Sequence, residues 1–248
     1  MIDQLRREIG NGSYPLGSRL PPVRELAQQF GVSQPTIRES VRALQSLGLV
    51  DVKHGSGVYV VADADSFMAR SLSTLIQIQN VSILDVLEIR ALLGRHAAER
   101  AARLATDDDL AAIKQALDRI QKGGDGRTVT AAVADFQLQI AAASRSVLLF
   151  SMESFLIRLL IHFQLVAYGR RSAEFWSDWT KRPNELRVEL VESLIARDVP
   201  RVTKAMSGYL RFQHDQFASD AKLSSLRISD PTWANAMSSL ADGRPATR

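Results

Sequence analysis

Residues 16–60 read LGSRLPPVRELAQQFGVSQPTIRESVRALQSLGLVDVKHGSGVYV, and the punctuation of this stretch decides the fold of the amino-terminal part. Pro21-Pro22 opens a helix running to about Phe30, because proline fits a first helical turn. Gly31 ends that helix, and Ser33 is placed to cap the next one, which starts near Pro35. The inward face of this third helix is Ile37, Val41 and Leu44, at spacings of four and seven. Gly48 stops it. Two β-rich runs, Leu49–Val52 and Val58–Val61, then flank the glycine-bearing loop KHGSG. Upstream, residues 1–9 carry Ile2, Leu5 and Ile9 on one helical face, and GNGSYPLG at 10–17 reads as a loop. Three helices and a β-hairpin over residues 1–62 make a winged helix-turn-helix.

In such a motif the second helix of the pair lies in the DNA major groove and its first residues meet base edges. Ser33, Gln34, Thr36 and Arg38 are the groove-facing candidates, with Arg42 a turn further on. They alternate with Ile37 and Val41, which must face inward. Arg24, early in the preceding helix, is within reach of the same groove or of a phosphate. His54 and Gly55 at the wing tip suit a minor-groove or backbone contact, where glycine allows close approach.

Beyond residue 62 the pattern changes. Residues 63–80 are expected to be a linker. From Val81 to about 225 the periodicity is helical, with candidate helices at 81–104, 107–122, 128–143, 146–167, 172–197 and 199–222. Thr106 before Asp107-Asp108-Asp109 is a strong helix start, and GGDG at 123–126 is a break. The last residues, 226–248, read as a flexible tail. The expected architecture is therefore mainly α: the winged domain, then an all-α antiparallel bundle of six or seven helices.

The 248 residues contain no cysteine, which removes disulfides, thiolate metal sites and cysteine nucleophiles. Net charge is only +4, so charge alone does not announce a nucleic-acid partner. Val147 to Tyr168 is the most apolar stretch but carries Glu153, Arg158 and His162, against a membrane span. The start, MIDQLRREIG, lacks the apolar region of a secretory leader. A cytoplasmic, soluble protein is expected, with no membrane partner. There is no glycine-rich nucleotide loop, no H-E-x-x-H and no nucleophile elbow, so no enzyme activity and no catalytic residue is expected.

The quoted stretch resembles the DNA-binding domain of the GntR family of bacterial transcription regulators over about residues 2–61. The resemblance implies that Arg24, Ser33, Gln34, Thr36, Arg38, His54 and Gly55 meet operator DNA. Two positions depart from the usual pattern: Val23 replaces an acid, and Gln34 replaces an arginine. Arginine prefers guanine whereas glutamine pairs best with adenine, so the operator preference should differ at that base.

Residues 81–215 resemble, more weakly, the all-helical FCD domain of the family's FadR-type branch. The anchors are Leu87-Glu88-Ile89-Arg90 with Ala97, Ala98, Ala101 and Ala102, then Asp135-Phe136-Gln137, then Leu194-Ile195-Ala196-Arg197-Asp198 with Tyr209-Leu210. Many members of that branch hold a divalent metal with one Asp and three His. Those positions fall here on Val133, Gln137, Arg187 and Tyr209, poor or impossible ligands. No metal or other cofactor is expected. By resemblance Arg90 points into the cavity. With Arg187 it would hold a small anionic metabolite, a carboxylate or phosphate, aided by Gln137, Tyr209, His162 and Asp135.

The function expected is a homodimeric regulator, a repressor by default, on a palindromic operator in double-stranded DNA, with a metabolite sensed in a metal-free helical pocket. Two alternatives stand beside it. One is a constitutive DNA-binding regulator with a degenerate sensor. The other is a metal-dependent carboxylate sensor, if the alignment slips by a residue or two.

Overall fold

The computed structural model describes residues 1–53, 55–61, 71–72, 74–76 and 78–225, which fall into two compact units, Met1–Met68 and Ala69–Arg248. His54 and the expected tail at 226–248 lie outside the described residues.

The first unit contains α1 (Ile2–Gly10), α2 (Val23–Phe30), α3 (Gln34–Ser46), β1 (Val50–Lys53) and β2 (Gly57–Val60). Gly31 ends α2 in the left-handed region, φ +64°. Ser33 caps α3 by accepting a hydrogen bond from the Thr36 amide. The hairpin is antiparallel, pairing Val50 with Val60 and Lys53 with Gly57. A short segment that the sequence reads as loop and helix approach joins it. Gly17 N–H donates to Val60 O (2.9 Å), Leu20 N–H to Val58 O (2.8 Å) and Val60 N–H to Ser18 O (2.8 Å). The core beneath is Leu5, Leu20, Leu26, Ile37, Leu44, Val50 and Val60, all fully or almost fully buried.

The second unit contains α4 (Ile83–Leu104), α5 (Asp107–Lys122), α6 (Gly126–Ala143), α7 (Val147–Tyr168), α8 (Ala173–Lys181), α9 (Asn184–Ile195), α10 (Val199–Ser219) and the short α11 (Ala221–Ser224). Polar caps start most of them. Ser82 with Asp85 and Thr106 with Asp109 form reciprocal capping boxes, and Asp125, Ser146, Ser172 and Asp198 each accept from an amide in the first turn. Ala97, Ala98, Ala101 and Ala102 on α4 are buried, and their small side chains let α10 and α6 approach closely. α7 is long and apolar enough to cross a membrane by length and composition, yet 67% of its most apolar window is buried here; it is a core helix.

Two expectations need correction. The single helix at 172–197 is two, because Pro183 lacks the N–H a continuing helix would use and begins α9 instead. The helix at 199–222 is interrupted at Asp220, whose side chain caps α11. Of the residues expected as linker, Ile76 is described and only 5% exposed, packed among α4, α7 and α8 side chains of the second unit.

Candidate nucleic-acid interface and polar cluster of the helical unit

On α3 the inward residues Ile37, Ser40, Val41 and Leu44 are buried, which turns Gln34, Arg38 and Arg42 into an exposed stripe at i, i+4 and i+8. Ser33 and Thr36 are exposed at its start, their hydroxyls 2.8 Å apart. Arg38 Nη2 donates to Gln34 Oε1 at 3.4 Å, and Arg42 is tied to Glu39 at 2.6 Å. Arg24 is exposed on α2. Gly55 at the wing tip has φ +74° and is exposed. The stripe presents donors and acceptors on a helix of groove width, with free amides at the helix start that favour phosphate.

In the second unit a chain of buried polar groups crosses the bundle. Arg90 on α4 is 1% exposed and Arg187 on α9 is 3% exposed. Arg90 donates through Nη2 to Gln137 Oε1 on α6 and through Nη1 to Gln213 Oε1 on α10 at 2.6 Å. Gln213 Nε2 donates to Tyr209 Oη (3.1 Å), as does Arg187 Nε (3.5 Å). Arg187 also donates to Thr180 O at 2.8 Å and lies over the Tyr209 ring, 5.5 Å from its centroid. Gln137 Nε2 donates to Val133 O at 3.2 Å. Four of the six expected effector residues, Arg90, Gln137, Arg187 and Tyr209, are therefore joined.

The other two are not. Asp135 is paired with Arg119 on the α5 side and its side chain is 37% exposed. It precedes Gln137 by two residues, about 200° around the helix, so both cannot face the chain. His162 is buried on α7 but bonds to none of these groups, and its Nε2 has no partner among the described residues. Burial holds its imidazole below the usual range.

Glu153 was visible in the sequence only as a charge within an apolar run. It is buried on α7 with a carboxylate oxygen 3.9 Å from Arg90. Burial pushes its carboxyl up, and Arg90 opposes this without reversing it. Gln213 was missed; its signal was its place one turn beyond Tyr209 on the same face of α10. Beside Arg187 lies a cavity of about 20 Å³ lined by Val133, Trp176, Thr180, Gln213 and Gln216. That is room for about one water molecule. Trp176 is fully buried there. A larger open groove of about 610 Å³ at the end of α7 is bordered by Arg127, Arg170, Arg171 and Lys222. Lys222 Nζ donates to Ala167 O at 2.7 Å, so this ammonium sits where the last carbonyls of α7 favour positive charge.

Comparison with known proteins bears on both units. Residues 1–60 match the model of the bacterial regulatory proteins of the gntR family, and residues 85–212 match that of the FCD domain. The chain is 32% identical to the HTH-type transcriptional regulator LutR of Bacillus subtilis over 62% of its own length and 70% of that protein. It is 40% identical to the Uxu operon regulator of Haemophilus influenzae, a match that spans 46% of this chain and 42% of that relative. It is 28% identical to the putative L-lactate dehydrogenase operon regulatory protein of Escherichia coli over 86% and 83% of the two chains. Among solved structures, Streptococcus agalactiae GntR superposes with a TM-score of 0.67 at 22% identity, covering 87% of this chain and 97% of that one, which is a likeness of fold.

Proposed function

Because this chain belongs to the GntR family and carries its FCD domain, it is a DNA-binding transcription regulator and not an enzyme, and we propose that it acts as a cytoplasmic homodimeric repressor released by a small anionic metabolite. Dimerisation follows from reach. One winged domain covers one half-site, and two copies related by a twofold axis read a palindrome. The α3 stripe, with Arg24, His54 and the wing tip, is the reading surface in this proposal.

One observation carries the effector reading: Arg187 is buried, yet among the described residues it bonds only to a carbonyl and a phenol and has no carboxylate partner. A buried cation left uncompensated is costly, and an anion at that point would offset the cost. A divalent cation fits the same place poorly. A guanidinium stands within the cluster, Asp135 is committed to Arg119, and Val133 has no donor atom. The pocket we propose is therefore metal-free. The relative named for an L-lactate dehydrogenase operon puts L-lactate on the panel of first probes.

Thermal-shift titration with L-lactate, other carboxylates and phosphates, on wild type and Arg187→Ala, tests this. An anion-dependent rise in wild type that vanishes in the variant is expected, and equal responses remove Arg187 from the site. The same anion should weaken operator retention in a mobility-shift assay. The second reading is a constitutive regulator with a closed sensor, and the water-sized cavity favours it. Operator binding indifferent to every anion on the panel would select that reading.

A further inference from the structure

The wing carries two cations that the reading surface above does not use. Leu20 points into the core, so by alternation Arg19 stands on the outer face of the ribbon, where it bridges across to Tyr59. The register puts Lys53 opposite Gly57, the last pair before the wing tip. Arg19 reaches along the ribbon to that pair. A Cβ added to Gly57 would stand 2.5 Å from Arg19 Nε and 3.1 Å from its Cζ, and Gly57 has φ +121°. A side chain at 57 is thus strained by the backbone angle, and it would push the Arg19 guanidinium off the ribbon. From the other strand, Lys53 Nζ lies over the Tyr59 ring at 4.9 Å from its centroid.

The outer face is therefore a row of cation, aromatic ring and cation, ending at the tip. Arg19 and Lys53 are both exposed, and neither has an ion pair among the described residues. Asp51, the acid on that face, pairs across to Tyr59 in the ladder and forms no salt bridge with either. Arg42 on α3, by contrast, already has Glu39. Unpaired guanidinium and ammonium groups on a preordered ribbon are suited to phosphate oxygens, whose contacts position a protein on DNA without reading sequence.

We propose that Arg19 and Lys53 form a phosphate grip beside the wing tip, and that Gly57 is free of a side chain so that Arg19 can cross the ribbon to make it. The proposal rests on the DNA binding of this chain. It concerns backbone contact, so its signature is in salt dependence. Full-length wild type, Arg19→Gln, Arg19→Lys and Lys53→Gln would be titrated against two labelled duplexes of equal length, one from the protein's own upstream region and one scrambled, over a range of salt. Each lost contact should lower the slope of log K against log salt by about 0.9 per reader domain. Both duplexes should be weakened alike, and Arg19→Lys should restore most of the slope. An unchanged slope in both glutamine variants overturns the proposal, as does a loss confined to the upstream duplex, which would mean base reading. If Arg19→Gln melts early by circular dichroism, Lys53→Gln carries the test from its exposed strand end. Wild type that binds neither duplex would sink the DNA reading itself, a different failure from an unchanged slope.

Discussion

Gln34 is the residue whose chemistry departs most usefully from the family pattern. It is exposed at the first turn of α3 with its Oε1 engaged by Arg38, so the two side chains present themselves to the groove together. Replacing Gln34 by Arg should move preference at one base of each half-site from adenine toward guanine, a change worth about 1–3 kcal/mol per pair. Binding-site selection on both proteins checks this, and identical logos would refute it. Arg187 makes an opposite kind of prediction. Buried ionic groups replaced by apolar side chains of similar size often leave stability unchanged or raised by about 1–4 kcal/mol. Arg187→Met should therefore melt no earlier than wild type while losing any anion-induced shift. A clear drop in melting temperature would show instead that the Thr180 carbonyl and Tyr209 satisfy the arginine fully. Arg90, Gln137, Arg187 and Tyr209 were legible by family position, but Gln213, which links Arg90 to Tyr209, and the turning away of Asp135 were not. Sequence spacing placed Asp135 beside Gln137, while its side chain turns to Arg119.

Among elements, the ends are written in local chemistry. Ser33, Thr106, Asp125 and Ser172 cap helices because a side-chain oxygen two or three residues upstream of a free amide needs no tertiary help. Thr106→Ala should cost about 1 kcal/mol, read as a fall in denaturation midpoint without a change in slope. Gly31→Ala forces an L side chain into the left-handed region and should destabilise by about 1 kcal/mol or more. The break at Pro183 was present in the sequence as a proline but was outweighed there by the helical periodicity on both sides. The segment Ser18–Leu20, which bonds to β2 through a single bridge at Arg19, had no such signal. A run of three residues carries no period, and only β2 beside it holds it extended.

Across the whole molecule, pH dependence reports on burial. His162 is held below its usual pKa by burial on α7. The unfolded chain therefore binds a proton that the folded chain resists. His162's neutral form contributes fully above the unfolded value near 6.5, and that contribution is lost as pH falls through 6.5 toward the depressed folded value. Wild type should lose melting temperature between pH 7 and pH 5 more steeply than His162→Gln. Parallel curves would mean that the imidazole reaches water on protonation. The same burial accounts for α7: a helix apolar enough for a bilayer finds its apolar surroundings among α4, α6 and α8.

The sequence by itself determined the winged domain, the helical character of the rest, the helix starts other than those of α9 and α11, and the family. Those depend on glycine, proline and capping residues acting over three or four neighbours. Tertiary structure alone decided which side chains meet: Arg90 with Gln213 across 123 positions, Glu153 beside Arg90, Arg19 over Gly57. Such meetings depend on how each helix is rotated about its axis and on which strand a short segment joins. A rotation of a few tens of degrees exchanges one partner for another while leaving every local spacing unchanged.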